Sequence, residues 1–166
     1  MIEVIIDSIR ISLVSQHRIV MLREMDSDRQ LPIWIGPCEA EAITIELQGM
    51  KVARPVTHDL LKNVIVDMGG KVSHILIKAL SDGVFYASLF IDRNEEMHEI
   101  DCRSSDAIAL AVRVKAPIFI NDDVMAEAAI LPEADIQEQT SDEPEAGDLD
   151  AFSDFVDSLD LDFDDD

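Results

Sequence analysis

The segment from Asp101 to Ile120 constrains the fold more than any other part of the chain. Its middle is apolar at nearly every position, and the apolar residues are Ala107, Ile108, Leu110, Ala111, Val112 and Val114. A helix that is apolar on nearly every face is typical of one surrounded by protein. Pro117 ends the pattern, and residues 118–120 then read as an interior strand. The sequence therefore predicts a buried helix followed by a buried strand.

A polar cluster comes directly before this helix. It consists of Asp101, Arg103, Ser104, Ser105 and Asp106. Ser104 or Ser105 can cap the helix, and Asp106 in the first turn complements the positive end of the helix dipole. Two interpretations are open: capping with one Asp–Arg pair, or a functional site on a buried support.

Charge divides the chain near Pro132. The net charge is −22, and residues 133–166 hold fifteen of the 35 acidic residues but no Lys or Arg. The body, residues 1–132, holds twenty acidic residues against all 13 basic ones and has the apolar density of a packed core. The tail alternates acids with sparse apolar residues and cannot fold alone. We expect one compact domain over residues 1–132 and a disordered acidic tail over residues 133–166.

The tail contains one pattern of its own. Phe152, Phe155, Val156 and Leu159 fall at i, i+3, i+4 and i+7 between aspartates. This spacing is typical of an amphipathic helix that orders in a groove. The tail can therefore be a solubilising segment, a binding segment for a protein partner, or a mimic of nucleic acid that occupies the protein's own groove.

Composition narrows the class of protein. No apolar run is long enough for a membrane span and no signal-peptide pattern follows Met1, which predicts a cytoplasmic protein without membrane attachment. Cys38 and Cys102 lack nearby histidines at zinc-like spacing, so we expect reduced, buried thiols. The acidic body would repel a phosphate backbone unless bases cluster or a metal intervenes.

Short β-branched runs predict most of the sheet. The runs at 2–6, 9–15 and 18–23, broken at Asp7-Ser8 and Gln16-His17, favour an antiparallel meander. A further strand at 31–35 contains Pro32, which places it at an edge or a strand start. Later strands are expected at 71–80, 84–91 and 97–101, and Asp82-Gly83 between the first two is a strong hairpin signal.

Helices are expected after Pro37, after Thr57 and after Asn121, besides the buried one. In the helix after Thr57, an amphipathic stripe is predicted to face the core, and its members are Leu60, Leu61, Val64, Ile65 and Met68. That orientation would point His58 away from the core. The fold class predicted is α+β, a mostly antiparallel or mixed sheet with three to four helices in a single compact domain.

Carboxylates gather near helix starts, beside a histidine and two arginines. If they converge, the natural chemistry is divalent-metal-assisted hydrolysis of a phosphodiester, with Mg²⁺ or Mn²⁺. His58 would then be the general base or water-positioning group, and Arg54 and Arg103 would contact phosphate. The metal-ligand candidates are Asp101, Asp106, Asp59, Glu39 and Glu41. The alternative for the glutamates is a solvated acidic helix face.

Four stretches in order resemble the bifunctional nuclease domain family. They are Ile35–Ile43 (IGPCEAEAI), Arg54–Leu61 (RPVTHDLL), Asp82–Ala87 (DGVFYA) and Asp101–Ala111 (DCRSSDAIALA) followed by Pro117-Ile118. The resemblance covers roughly residues 1–130 and leaves the tail outside. It implies an α+β domain, a homodimer, and nuclease activity on DNA and RNA.

A non-enzymatic regulatory or scaffold dimer with a partner-binding tail is the alternative function. A nuclease predicts that the candidate residues line one open cleft with a basic rim. The alternative predicts that Arg54 and Arg103 are consumed in internal salt bridges.

Overall fold

The computed structural model describes residues 1–12 and 17–132. Met1–Pro132 forms one compact unit. The disorder, the helix and the groove occupancy predicted for the acidic tail lie outside the described residues, so they stay predictions.

The described residues contain seven strands and four helices. The strands are β1 (Ile2–Ile11), β2 (Arg18–Glu24), β3 (Gln30–Ile35), β4 (Lys71–Ser81), β5 (Val84–Arg93), β6 (Glu96–Arg103) and β7 (Ile118–Ile120). The helices are α1 (Pro37–Leu47), α2 (Thr57–Asp67), α3 (Ser104–Val114) and α4 (Asp122–Ala128). All strands join one sheet in the order β3-β2-β1-β7-β4-β5-β6. Neighbours pair antiparallel except β4 and β7, which are parallel. This confirms the expected α+β fold with a mixed sheet.

The predicted buried helix is confirmed in α3. It packs between α1 and α2 and against β4, β5 and β6. Ile108 is 0% exposed and Leu110 1% exposed. Complete burial of one such side chain contributes about 1.5–3 kcal/mol. The core therefore holds α3 in place, together with the polar residues at its start.

The predicted break at Asp7-Ser8 is wrong, because β1 runs through it. Ile6 pairs with Leu22 and Ser8 pairs with Met21, so the register shifts between them. A β-bulge accommodates one extra residue without ending the strand. The polar dipeptide marks that bulge rather than a turn.

The orientation predicted for α2 is also wrong. His58 and Ile65 are its buried residues, whereas Leu60, Val64 and Met68 are 60%, 44% and 61% exposed. Residues seven apart lie on one helix face two turns apart, and this narrow face meets the rest of the domain. Apart from Ile65, the apolar stripe is therefore turned outward, and His58 points inward.

Turn and cap chemistry account for two further boundaries. The β4–β5 hairpin turns at Asp82 and Gly83, as the sequence predicts, and both residues have positive φ. At the start of α3, Arg103 occupies the N-cap position without a side-chain cap bond. The two serines predicted as caps are instead the first two helical residues.

Within the described ranges, no helix is long and apolar enough to cross a membrane.

Candidate functional site at three helix starts

The starts of α1, α2 and α3 meet, and each carries a carboxylate at its third residue. These residues are Glu39, Asp59 and Asp106. Each carboxylate lies in a first turn, where the helix dipole favours negative charge. Because α3 packs against both other helices, the polar first turns reach one another.

Arg103 connects α1 to α3. Its Nε donates to Asp106 Oδ2 at 2.6 Å, and its second terminal nitrogen donates to Asp106 Oδ1 at 3.0 Å and to Glu39 Oε1 at 2.8 Å. A two-point contact of this kind fixes a carboxylate more firmly than a single bond. The guanidinium group thus holds both carboxylates from the solvent side, since Arg103 is 67% exposed and Glu39 only 17%.

His58 approaches the same carboxylate from α2. Its Nε2 lies 3.2 Å from Asp106 Oδ1. Its Nδ1 is buried and has no hydrogen-bond partner among the described residues. A buried polar atom without a partner is unusual and costs free energy, so it calls for an explanation. The imidazole therefore has one engaged nitrogen and one unsatisfied nitrogen within the cluster.

The surroundings keep Asp106 ionised. Burial opposes its charge, but hydrogen bonds from Arg103 and His58 outweigh burial and lower the pKa of Asp106. The same contact, together with Glu39, raises the pKa of Arg103. The cluster is consequently a set of formal ion pairs rather than a poised carboxylic acid.

Arg113, near the end of α3, is the residue of this region that the sequence analysis missed. It donates to Asp59 Oδ1 at 2.7 Å, to the Ala109 carbonyl at 2.7 Å and to the Ala42 carbonyl at 2.9 Å. These bonds tie all three helices together from inside, because the side chain is 1% exposed. The sequence feature that could have identified Arg113 is a single cation within an otherwise apolar helix.

Asp59 is accordingly held as a structural group. It accepts from Arg113 and, through Oδ2, from the Val56 backbone N–H at 2.9 Å. Burial raises its pKa less than these hydrogen bonds lower it, so the pKa of Asp59 is lowered. Its contacts fix the first turn of α2, which carries His58.

Gly36, just before α1, gives Glu39 the space to fold back. A Cβ atom at this position would collide with Glu39 Oε2. The backbone there has φ −68°, which any residue can adopt. The requirement for glycine is therefore space for the carboxylate that contacts Arg103.

Among the described residues, the other candidates make no hydrogen bond or ion pair with this cluster. Asp101 contacts Lys78 at 3.1 Å on the strand side, where it is 75% exposed. Glu41 lines a cavity of about 590 Å³ between α1 and the β1–β2 hairpin. Arg54 is exposed and makes no ion pair with another described residue. The structure thus brings together His58, Asp106, Arg103 and Glu39, and it holds Asp59 next to them.

The carboxylates do not fit a resident metal ion as they stand. Arg103 and His58 engage Asp106, Arg103 engages Glu39, and Arg113 engages Asp59. Over residues 1–12 and 17–132, no three His, Cys, Asp or Glu side chains form a group that could hold a metal. Divalent metals prefer several free oxygen ligands. The predicted Mg²⁺ or Mn²⁺ site stays a prediction.

The cysteines differ from the expectation of two buried thiols. Both are free, but Cys38 is exposed and Cys102 is half-buried. Burial raises the pKa of Cys102 to about 11, with Asp101 and Asp106 adding to the effect. Cys102 is therefore a thiol at neutral pH, and it packs against the core.

Known proteins resemble the chain over most of its length. The model of the bifunctional nuclease domain matches residues 20–133. An uncharacterized protein of Mycobacterium tuberculosis is 37% identical over 157 residues, which cover 95% of this chain and 94% of that protein.

Plant proteins match a shorter region. Bifunctional nuclease 1 of Oryza sativa subsp. japonica is 31% identical over 108 residues, and Bifunctional nuclease 1 of Arabidopsis thaliana is 28% identical over 106 residues. These matches cover 63% and 62% of this chain but only 33% of each plant protein. The family model spans more than half of the chain, including all three helix starts of the site. The chain belongs to the bifunctional nuclease domain family.

Proposed function

We propose that this protein is a nuclease that hydrolyses phosphodiester bonds in DNA and RNA at the starts of α1, α2 and α3. Membership of the family and the names of its plant relatives support this class of activity. The observation that carries the site is the His58–Asp106–Arg103 contact, which joins an imidazole, a carboxylate and an exposed guanidinium group.

Arg103 is the group that meets the substrate first. It is 67% exposed, whereas Asp106 beneath it is 30% exposed. A phosphate arriving from solvent therefore reaches the guanidinium group before it reaches the carboxylate. Guanidinium binds phosphate through two parallel hydrogen bonds as readily as it binds carboxylate. Arg54 is exposed three residues before α2, and a second phosphate contact from it stays a prediction.

The reaction follows from the groups behind Arg103. As phosphate draws Arg103 outward, Asp106 holds a water molecule that attacks phosphorus. Asp106 accepts the proton of that water, while the Nε2–H group of His58 keeps its hydrogen bond to Asp106 and holds the carboxylate in place. The P–O bond to the leaving sugar oxygen breaks, and that oxygen takes a proton from solvent water. Arg103 stabilises the charge that develops on the non-bridging oxygens. Glu39 releases one guanidinium nitrogen in this step, and Asp59 keeps α2 in position.

A cleavage assay on the full chain tests this proposal. Labelled single-stranded RNA and DNA are incubated with Mg²⁺, with Mn²⁺ or with EDTA. We expect the wild type to cleave both substrates. His58→Ala and Asp106→Ala should lower the rate by about a hundredfold or more, the range of general acid–base groups.

Two matched variants control for contamination and for general loss of structure. His17→Ala removes an exposed histidine just before β2, and Asp67→Asn neutralises an exposed carboxylate at the other end of α2. Both should cleave at the wild-type rate. Equal activity in all five proteins would place the activity elsewhere or in a contaminant. Cleavage that persists in EDTA would show that the reaction needs no divalent metal. Cleavage that is lost in EDTA would show that it does.

The Arg103 ion pairs favour one alternative function, a non-enzymatic regulatory or scaffold protein. In that case Arg103 serves only to join α1 and α3, as its contacts with Glu39 and Asp106 allow. Arg54 has no such internal partner among the described residues, which argues for the nuclease. Folded wild-type protein that cleaves neither substrate under any metal condition would favour the scaffold.

A further inference from the structure

Tyr86 of β5 lies directly beside Arg103 of β6. The two residues pair across the antiparallel ladder, and paired residues point to the same face of a sheet with their Cβ atoms about 4.5–5.5 Å apart. Both side chains are open to solvent, since Tyr86 is 43% exposed and Arg103 is 67% exposed. The guanidinium group of the candidate site therefore has an exposed aromatic ring as its neighbour.

The ring of Tyr86 has no partner within the described part of the chain. Further along β5, Phe90 stacks against His74 with ring centroids 4.3 Å apart, so those two rings cover each other. Tyr86 makes no ring contact with another described residue, and its hydroxyl group has no hydrogen-bond partner among them. The ring is therefore available to a planar ligand that also contacts Arg103.

We propose that Tyr86 binds an unpaired base of the substrate by stacking, next to the phosphate that Arg103 contacts. Bases of single-stranded nucleic acid can splay out and stack on aromatic side chains, whereas a base inside a duplex already stacks on its neighbours. Tyr86 thus selects single-stranded segments of DNA or RNA. This inference rests on the proposed function, because it uses the phosphate contact of Arg103.

Charge alone gives this region little affinity for nucleic acid. On the same face of β6, Glu99 is 53% exposed and Asp101 is 75% exposed, and Lys78 contacts both carboxylates. Arg103 is itself paired with two carboxylates. Proteins that bind single strands combine phosphate contacts with stacking, and every base has a π-face that can stack. A base on Tyr86 adds affinity that does not depend on the surrounding charge.

Binding of a short oligonucleotide to the full chain tests the proposal without relying on cleavage. The probe is a fluorescent hexathymidylate with phosphorothioate linkages, which resist hydrolysis, and fluorescence anisotropy measures its affinity. A probe of the same length and charge with abasic sugars is the comparison. Tyr86→Ala should weaken binding of the thymidine probe about 5- to 150-fold, the loss that one missing base stack causes. It should leave binding of the abasic probe unchanged.

Two further variants separate stacking from a general change of the surface. Tyr86→Phe keeps the ring and should bind the thymidine probe like the wild type. Met97→Ala removes another exposed apolar side chain from the same face of β6, six residues or about 20 Å from Arg103, and should also bind normally. Circular dichroism checks that all the variants are folded. Weakening of equal size in either variant and in Tyr86→Ala would overturn the proposal.

The ring can also be observed directly, because Tyr86 is the single tyrosine of the chain. Incorporation of fluorotyrosine gives one fluorine NMR resonance, which reports on this ring alone. The thymidine probe should shift the resonance, and the abasic probe should shift it several-fold less. An unshifted resonance with the thymidine probe bound would overturn the proposal, even if the protein cleaves DNA and RNA. A shift in a protein that cleaves neither would support the base contact and contradict the proposed reaction.

Discussion

At the scale of single residues, the arginines at the two ends of α3 have opposite roles: Arg103 precedes the helix and Arg113 lies in its last turn. Arg113 is 1% exposed and donates hydrogen bonds to three helices, whereas Arg103 is 67% exposed and faces solvent. Buried ion pairs are costly to break from one side, because the remaining charge stays buried without a partner. Exposed pairs contribute little to stability.

We expect Arg113→Met to lower the free energy of unfolding by about 3–5 kcal/mol, because it leaves the charge of Asp59 without its buried partner. Arg103→Met is the control and should lower it by about 1 kcal/mol or less. Urea denaturation measures both values. Similar losses of stability in the two variants would contradict the role of Arg113 in holding the three helices together.

Acid stability follows from the same carboxylates. The pKa values of Asp59 and Asp106 are lowered in the folded chain, so both groups stabilise the fold above the unfolded-state value of about 4. Their contribution disappears as the pH falls through the lowered values, when both become protonated. The free energy of unfolding should therefore decrease below about pH 4.

Asp59→Asn separates this contribution from general acid denaturation. The variant should be less stable at neutral pH and lose less stability between pH 5 and pH 2, as measured by urea unfolding at each pH. Asp28→Asn, at an exposed turn, should keep the wild-type slope. Equal slopes in all three proteins would mean that Asp59 does not control acid stability.

Much of the cluster was predictable at this scale. His58, Asp106, Arg103 and Glu39 all lie near helix starts that the sequence marks with proline, threonine or serine. Arg113 could not be predicted in this way, because a single arginine in an apolar segment suggests a solvent-exposed position on the helix. Only the packing of three helices brings Asp59 and two carbonyl groups within its reach.

At the scale of elements, short sequence motifs predict a turn correctly where the turn requires a particular backbone conformation. Asp82 and Gly83 have φ values of 51° and 75°, which belong to a tight hairpin turn. Glycine has no Cβ atom that clashes at positive φ, whereas this conformation costs other residues about 1–2 kcal/mol. The turn could therefore be predicted from two residues.

Gly83→Ala should lower the free energy of unfolding by about 1 kcal/mol, because alanine is strained at this φ. A Cβ there meets no atom within 4 Å, so a steric clash with neighbours does not contribute. Thermal unfolding measures the change. Ala79→Gly, in the middle of β4, gives a comparison. It also lowers the free energy of unfolding, but it does so because glycine increases the conformational entropy of the unfolded chain.

Helix orientation could not be predicted in the same way. The stripe of α2 has the spacing of a core-facing surface, yet its members at 60, 64 and 68 are exposed. Periodicity identifies an apolar face but not the surface that covers it. In the same way, Asp7-Ser8 is compatible with a turn or a bulge, and the pairing of β1 with β2 decides between them.

At the scale of the whole molecule, the sheet consists of two antiparallel halves. β1, β2 and β3 form one half, and β4, β5 and β6 form the other. The three-residue strand β7 lies between them, where Ile120 pairs with Ile2 and with Ile77. The fold class could be predicted because strands and helices are clearly marked. The strand order could not, because β7 is short and pairs with strands far away in the sequence.

Ile120→Ala should weaken the connection between the halves as well as the core. Ile120 is 0% exposed, and the cavity should cost about 2–5 kcal/mol. Ile33→Ala is the control, since Ile33 is 1% exposed but lies in the edge strand β3. Amide exchange in urea should then give separate transitions for the two halves in Ile120→Ala and one common transition in Ile33→Ala.

The position of β7 in the chain also affects how the protein forms on the ribosome. The two halves of the sheet are complete in sequence after Ile35 and Arg103, but the strand that joins them ends at Ile120. A nascent chain therefore holds two separate meanders, with their inner edges open, until nearly the whole domain has been synthesised. Such edges pair readily with other chains. Translation speed over the last strand and chaperone contact before it emerges will therefore influence the yield of folded protein.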